Sequence, residues 1–276
     1  MTNNTVTGAT LPYRRRGDGE PLLLLHGLGA SKEMWEPVIE ILAEQRDTVA
    51  CDLPGFGEAR CLPRQMPPTV EHLADAVEEF ARSLGLDRPH VVGNSLGGAL
   101  ALELARRDLV ASTTCLSPAG FFDDRAAARV RLLLGVFPAL TRVLRPALAA
   151  LLTTEAGRAA LLGLVVGHPG NVPKRAALRL LEDTISAPGY HDTLNAALPY
   201  RVQPFRAQAP LTVAWAAKDK ILTLEQAQRA REVLPDAEHV LLTGCGHVPV
   251  WDEPTYVAAT ILHASRPLTT TTGDRS

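Results

Sequence analysis

Short apolar runs alternate with amphipathic segments along most of the chain. Residues 22–25 are four consecutive leucines between Pro21 and His26, and such a run is typical of a strand buried on both faces of a parallel sheet. Further strands are predicted at residues 48–51, 90–92, 112–116, 211–216 and 239–242, with a peripheral strand at 13–16. Helical patterns are predicted at residues 34–44, 70–84, 96–107, 224–233 and 256–265. The alternation predicts an α/β fold in which helices cover both faces of a parallel sheet.

The alternation is interrupted between residues 121 and 209, where the chain is rich in Ala, Leu and Arg, is punctuated by prolines and has no strand-like run. This segment is predicted to be an inserted helical cap of several short helices. Ligands of open α/β sheets bind at the carboxyl ends of the strands, so an insertion after a strand is expected to border the ligand site. The predicted organisation is a core from residues 1–120 and 210–266, a cap from 121–209 and a disordered, Thr-rich tail at 267–276.

Composition excludes several classes of protein. Of 276 residues, 46% are hydrophobic and 21% charged, as in a globular protein, and the net charge of −2 gives no electrostatic case for nucleic acid or an anionic membrane. Residues 1–8 lack the pattern of a signal peptide, and Glu155 and Arg158 interrupt the most apolar region. The four cysteines lack metal-ligand spacing. We expect a cytoplasmic monomer or homodimer that binds no metal, no nucleic acid and no membrane stably.

The most informative motif runs from Val91 to Gly98, Val-Val-Gly-Asn-Ser-Leu-Gly-Gly, and is followed by a helix-forming segment. Glycines on both sides of Ser95 permit a sharp strand-to-helix turn that exposes its hydroxyl. The same turn places the amide of Leu96 at a helix N-terminus, where negative charge is stabilised. An ordinary βα turn is the alternative, but the strand before and the helix after favour Ser95 as a nucleophile.

A serine nucleophile needs a base, and the base needs an acid to orient it. His247 stands in a glycine-flanked loop after the last predicted strand, and Asp219 follows the strand at 211–216. The order Ser, Asp, His is one in which catalytic triads occur. Asp236 and Asp252 are weaker candidates because neither directly follows a sheet strand. Cys245, close to the histidine, is expected to be a packing residue rather than a second nucleophile.

Acyl transfer also needs amide donors for the oxyanion that forms. The amide of Leu96 is one candidate, and that of Leu28, in His26-Gly27-Leu28-Gly29, is the other. His26 is expected to have a structural role beside this site, and His168 of the cap is a further candidate for the pocket. The residues expected to contact substrate are His26, Gly27, Asn94, Phe121 and Val248.

As a set, these motifs resemble the α/β-hydrolase superfamily, together with Asp52-Leu53-Pro54-Gly55-Phe56-Gly57. The resemblance spans nearly the whole chain except the cap and tail. It implies an eight-stranded, mostly parallel sheet, a helical cap inserted after the sixth strand and no cofactor. One departure is Glu58, which stands where serine usually follows the Asp-x-Pro-Gly-x-Gly motif. That position is generally structural.

A serine at this turn disfavours the epoxide hydrolases and haloalkane dehalogenases of the superfamily, which use aspartate there. The expected function is hydrolysis of a carboxylic ester, or a related acyl bond, of a small, largely apolar substrate through an acyl-enzyme. A meta-cleavage-type C–C hydrolase is the alternative, because several of that group resemble this chain in Gly-Asn-Ser-x-Gly-Gly. Val248, however, replaces their usual tryptophan. A biosynthetic enzyme or a binding protein without hydrolysis is the remaining alternative.

Overall fold

A mostly parallel sheet lies at the centre of the fold. A computed structural model describes residues 11–266, except for the side chains of residues 137–139. The strands are β1 (Tyr13–Arg16), β2 (Pro21–Leu25), β3 (Asp47–Cys51), β4 (His90–Asn94), β5 (Ser112–Leu116), β6 (Leu211–Ala216) and β7 (Glu238–Leu242), in the order β1-β3-β2-β4-β5-β6-β7. Only β1 runs antiparallel to its neighbour, β3. The predicted α/β fold is confirmed.

The strand count differs from the expected one. Residues 11–266 form seven strands rather than eight, and the helical insertion follows the fifth of them rather than a sixth. Residues 1–10, and the tail predicted at 267–276, lie outside the described residues.

Helices flank the sheet and fill the insertion. In the described chain they are α1 (Glu36–Ala43), α2 (Val70–Ser83), α3 (Leu96–Arg106), α4 (Asp124–Gly135), α5 (Phe137–Leu152), α6 (Glu155–Leu162), α7 (Lys174–Ser186), α8 (Tyr190–Ala197), α9 (Leu224–Val233) and α10 (Pro254–Ala264). The helix predicted at 34–44 is divided into a 3-10 turn, Lys32–Trp35, and α1. Pro37 explains the division, because a residue without an N–H fits only the first turn of an α-helix.

The leucine run of β2 is apolar throughout because both of its faces are buried. Successive side chains of a strand point to opposite faces. Leu23 and Leu25 join an apolar cluster with Phe80 on one side, whereas Leu22 and Leu24 join a second cluster with Trp35 on the other. The other apolar strands of the sheet extend these two layers on either side of β2. Packing of the core therefore fixes the positions of the strand ends that carry the site.

The insertion, residues 121–209, forms helices α4 to α8 between β5 and β6 and is called the helical insertion below. Arg129 of α4 donates to the carbonyls of Lys220 and Ile221, just after β6, and Thr184 of α7 donates to the carbonyl of Gly29, just after β2. The insertion is therefore attached at the carboxyl ends of the strands. Its treatment as a separate cap domain stays a prediction.

No single helix within residues 11–266 is long and apolar enough to span a membrane. Helix α4 and residues Leu140–Leu152 are long and apolar enough only when taken together, and the two segments are bent by 62° relative to each other.

Candidate active site

Ser95 stands at a strained turn between β4 and α3. Its backbone has φ 56° and ψ −113°, in the region that L-residues rarely adopt. The flanking positions must be glycine because other backbone atoms lie too close to them for a side chain to fit. A Cβ on Gly93 would lie 2.0 Å from the carbonyl oxygen of Gly97, and one on Gly97 would lie 2.1 Å from that of Leu25. The turn is thus packed so tightly that its conformation is imposed, and such strain is typical of functional sites.

His247 and Asp219 form the charged part of the site. The Nδ1 of His247 lies 2.7 Å from Oδ2 of Asp219, and both side chains are buried. The other carboxylate oxygen accepts hydrogen bonds from the amides of Ile221 and Leu222, each at 2.8 Å. These three bonds hold the carboxylate in one orientation. The bond to Asp219 places the ring proton of His247 on Nδ1, which leaves Nε2 as a proton acceptor.

The side chains of Asn94 and Asp252 hold the loop of His247, a role that the sequence does not predict for either residue. The Nδ2 of Asn94, next to Ser95, donates to the carbonyl of His247 at 2.9 Å and to that of Leu116 at 3.0 Å. Asp252 accepts from the amide of Gly246 at 2.7 Å and also from two amides of the helical insertion, Gly167 and His168. A polar residue five positions after the histidine was the only sequence signal for Asp252.

Asn94 therefore ties the serine turn to the histidine loop. Within the described chain, neither Ser95 Oγ nor His247 Nε2 is hydrogen-bonded to another protein group. The hydrogen bond between the Ser95 hydroxyl and His247 Nε2 that the predicted mechanism uses is therefore not formed in this structure, and His247 does not line the cavity at Ser95 described below.

Two backbone amides near Ser95 are also available. The N–H of Leu96, the first residue of α3, and that of Leu28 donate to no protein acceptor in residues 11–266. Gly27, the residue before Leu28, lies close to the serine, since a Cβ on it would be 3.4 Å from the Cβ of Ser95. A helix N-terminus and an unpaired loop amide beside one hydroxyl make a suitable place for negative charge.

His26 stabilises the loop of Leu28 from inside the protein. Its Nδ1 donates to the carbonyl of Gly27 at 2.8 Å, and its Nε2 accepts from the amide of Leu53 at 2.9 Å. Complete burial lowers the pKa of His26 to about 4, so the ring is neutral at physiological pH. The structural role expected for His26 fits this geometry, whereas its expected substrate contact does not, because both ring nitrogens are already bonded to the backbone.

The Asp52 motif anchors the opposite side of the same loop. The buried carboxylate of Asp52 accepts from the amides of Lys32 and Glu58 and from Nζ of Lys32. A Cβ on Gly57 would lie 2.4 Å from that carboxyl carbon, which explains the last glycine of the motif. Glu58, the departure from the superfamily pattern, forms a 2.7 Å ion pair with Lys32. The Glu58 side chain is largely exposed, so this is a surface ion pair, and the structural role expected at this position stays a prediction.

A small, mostly apolar cavity of about 50 Å³ opens at Ser95. Of the residues predicted for the site, Ser95, Leu28 and Leu96 line it; the other side chains come from the helical insertion and the segments after β5 and β6 and include Ala119, Phe122, Val130, Leu134, Thr193, Leu194 and Ile221. The predicted catalytic serine and both predicted amide donors therefore meet at one cavity.

None of the five residues expected to contact substrate lines this cavity. His26 is engaged as described above, and Gly27 lies against the Ser95 side chain without lining the cavity. Phe121 is buried against Trp215, with ring centroids 6.1 Å apart, and its neighbour Phe122 lines the cavity instead. Asn94 is buried with its amide engaged as described. Val248 donates its amide to the carbonyl of Val165 and packs in the second apolar cluster.

Two further sequence candidates lie outside the cavity lining. Burial, with a smaller contribution from the charge of Asp252, raises the pKa of Cys245 to about 12, so this buried thiol is not a nucleophile at neutral pH. The ring of His168 lies 3.5 Å from Nζ of Lys218. Neither group is positioned to attack a substrate held at Ser95.

Comparison with known proteins accounts for this arrangement. The model of a family described as "Alpha/beta hydrolase family" matches residues 22–260, most of the chain. The chain belongs to the alpha/beta hydrolase family. An uncharacterised protein of Mycobacterium tuberculosis is 28% identical to this hydrolase over 267 residues, which cover 91% of this chain and 76% of that one.

Other similar hydrolases have names that describe an activity. Lipase 3 of a Moraxella species is 25% identical over 245 residues, covering 84% of this hydrolase and 73% of the lipase. A solved structure described as a membrane phospholipase A, a bacterial virulence factor, is 28% identical and superposes with a TM-score of 0.74, over 91% of this chain and 81% of that one. Lipase and phospholipase relatives at this identity support a hydrolase without specifying its substrate.

Proposed function

We propose that this alpha/beta hydrolase is a serine hydrolase that cleaves carboxylic esters through an acyl-enzyme, with Ser95 as nucleophile, His247 as base and Asp219 as the orienting acid. The observation that carries the proposal is the 2.7 Å bond between His247 Nδ1 and Asp219 Oδ2, at the same sheet edge as a serine held at positive φ. A serine hydroxyl and a buried His–Asp pair are the groups that acyl transfer by a triad uses, and the proposal requires the hydrogen bond between Ser95 and His247 to form with substrate bound.

In the first half of the reaction, Nε2 of His247 takes the proton of Ser95 as Oγ attacks the ester carbonyl carbon. The carbonyl oxygen becomes an oxyanion that accepts hydrogen bonds from the amides of Leu28 and Leu96. Collapse of this intermediate breaks the bond to the alcohol oxygen, and His247 gives that oxygen its proton. The alcohol leaves, and Ser95 carries the acyl group.

In the second half, His247 takes a proton from water as the water oxygen attacks the acyl carbon. A second oxyanion forms at the same amides, and its collapse returns the proton to Ser95 Oγ and releases the carboxylic acid. Asp219 stays bonded to Nδ1 throughout and stabilises the imidazolium in each step.

Apart from Ser95 and Thr193, the cavity lining presents apolar side chains, which supports a largely apolar substrate.

Hydrolysis of p-nitrophenyl acetate by the wild type and by Ser95→Ala tests the proposal. The expected loss in kcat is roughly 10⁴-fold or more, because a single triad residue carries most of the nucleophilic contribution. Ser83→Ala, at the end of α2, is the matched control and should retain wild-type kcat. Equal activity of Ser95→Ala and the wild type would remove Ser95 from the mechanism.

The C–C hydrolase alternative is separated by a second substrate. A 2-hydroxy-6-oxo-dienoate should be turned over far more slowly than the ester, because the cavity lining has no cationic side chain to bind its carboxylate. Faster turnover of the dienoate than of the ester would favour the alternative.

A further inference from the structure

A second, larger cavity lies along the seam between the core and the helical insertion. Its volume is about 610 Å³, and it is bounded by the loop of residues 54–68, which follows β3, and by α8. We call it the outer cleft. At the seam, the amide of Gly189 donates to the carbonyl of Gly55 at 3.0 Å, and the Cα of Gly189 lies 2.9 Å from where a Cβ on Gly55 would be. This close contact of two glycines brings the loop against the start of α8.

The outer cleft and the cavity at Ser95 share one residue, Thr193 of α8. Thr193 lines both and is itself fully buried. Its Oγ1 has no hydrogen-bond partner within the described chain. A buried hydroxyl without a partner costs about 1–3 kcal/mol. Other buried threonines, Thr113 and Thr114, also have unpartnered hydroxyls, but they lie on β5, whereas Thr193 borders two cavities. Thr193 is also the one polar side chain, besides Ser95, in the lining of the catalytic cavity.

The sizes of the two spaces are unequal. The cavity at Ser95, about 50 Å³, has room for a few water molecules or a short acyl group. The outer cleft, at about 610 Å³, falls in the range of sites that hold small-molecule ligands. Leu62, Met66 and several prolines give it mainly apolar walls, with Arg64 and Asp192 as its charged side chains. An elongated, mostly apolar ester fits the two spaces together better than it fits the cavity alone.

We infer that the outer cleft is the binding site for the larger part of the substrate, and that Thr193 forms the partition past which the ester group reaches Ser95. This inference deepens the proposed function and rests on it. The substrate class is an ester with one short side and one medium-length apolar side. The hydroxyl of Thr193 supplies a hydrogen bond to a polar atom of the substrate at the junction.

Cys61 provides a direct test, because it is exposed and lines the outer cleft. Its Sγ would lie 3.5 Å from a Cβ on Gly55, at the seam. The other three cysteines, Cys51, Cys115 and Cys245, are buried, and burial raises the pKa of each thiol. A maleimide should therefore react with Cys61 alone, and a bulky one, fluorescein-5-maleimide, would occupy the cleft.

The experiment compares labelled and unlabelled full-length enzyme on three esters by pH-stat titration. Ethyl acetate is short on both sides, hexyl acetate is long on the alcohol side, and ethyl hexanoate is long on the acyl side. Labelling should lower kcat/KM for at least one long ester about tenfold or more and change that for ethyl acetate less than about twofold. For Cys61→Ser, kcat/KM for each ester should be the same before and after treatment with the reagent.

Equal effects of the label on all three esters, or none on any, would overturn the inference. Thr193 gives an independent test. Thr193→Ala, which widens the partition, should raise kcat/KM for the affected long ester relative to ethyl acetate, whereas Thr193→Val, which keeps the shape and removes the hydroxyl, should not. An unchanged ratio in Thr193→Ala would contradict the partition.

The two proposals fail in different ways. If Ser95→Ala hydrolyses ethyl acetate as fast as the wild type, the serine mechanism fails. If Ser95→Ala is inactive and the label on Cys61 has no selective effect, the mechanism stands and the outer cleft is not a substrate site.

Discussion

Asp219→Asn tests the site by replacing one carboxylate oxygen with an NH₂ group at a buried position. The carboxylate now accepts three N–H bonds: two from backbone amides at Oδ1 and one from His247 at Oδ2. In the variant, the amide oxygen can still accept the two backbone bonds, which leaves the NH₂ group facing Nδ1. Two donors cannot share that bond, so His247 is driven to the tautomer with its proton on Nε2.

That tautomer cannot take a proton from Ser95. The expected loss in kcat is roughly 10³–10⁴-fold, or about 4–5.5 kcal/mol of transition-state stabilisation. The fold should survive, because the backbone bonds remain and a charged acceptor is exchanged for a neutral one at a cost of about 1–2 kcal/mol in the free energy of unfolding. The readouts are initial rates on p-nitrophenyl acetate and urea unfolding of the same samples.

Asp236→Asn is the matched control, because Asp236 is exposed and its ion pair with Arg206 is 4.0 Å long. It should leave both readouts unchanged. If Asp219→Asn kept near-normal kcat while remaining folded, the tautomer argument would be wrong, and Asp252, the other buried carboxylate near His247, would become the candidate acid.

Three other consequences can be measured separately. Gly97→Ala places a Cβ 2.1 Å from the carbonyl oxygen of Leu25, so the free energy of unfolding in urea should fall by about 3 kcal/mol; a change under about 0.5 kcal/mol would contradict the packing of the turn. Asn94→Ala leaves the buried carbonyls of His247 and Leu116 without their side-chain donor, so unfolding should become easier by about 2–3 kcal/mol and kcat should also fall; a stable variant with wild-type kcat would show that Asn94 does not position the histidine loop. The pKa of His26 is about 4 in the folded protein, below its ordinary value of about 6.5. Between these two pH values the unfolded chain binds more protons than the folded one, so the free energy of unfolding should fall by about 3 kcal/mol as the pH is lowered from about 6.5 to 4. Ring ¹⁵N NMR should report a neutral His26 protonated at Nδ1 at pH 6, and a midpoint near 6.5 would refute its buried, neutral state.

The sequence was sufficient for the architecture because two signals agreed. An unbroken apolar run such as residues 22–25 is typical of a strand that is buried on both faces. The glycines around Ser95 indicate a turn in which backbone atoms approach so closely that a side chain would not fit. The site residues could be proposed because each stands just beyond a predicted parallel strand. The carboxyl ends of such strands lie at one edge, so distant positions meet there.

The substrate-contacting side chains could not be predicted in the same way. Phe121 and Phe122 are adjacent in an irregular segment, where no period determines which one faces the cavity; the contact of Phe121 with Trp215 decides it. Thr193 lies on a helix of the insertion, far from any motif, and only tertiary packing shows that its hydroxyl is buried without a partner. Asp252 is a weak candidate for the catalytic acid because it follows no strand. Its carboxylate nevertheless accepts hydrogen bonds from an amide of the histidine loop, Gly246, and from one of the helical insertion, Gly167.

The central claim is that His247 activates Ser95 as a nucleophile, and a fluorophosphonate probe tests it most directly. Intact mass followed by peptide mapping should locate one adduct, on Ser95, in the wild type. The adduct should be absent in Ser95→Ala and form about 100-fold more slowly in His247→Gln. An adduct on another residue, or an equal rate of labelling when His247 is replaced, would contradict the account.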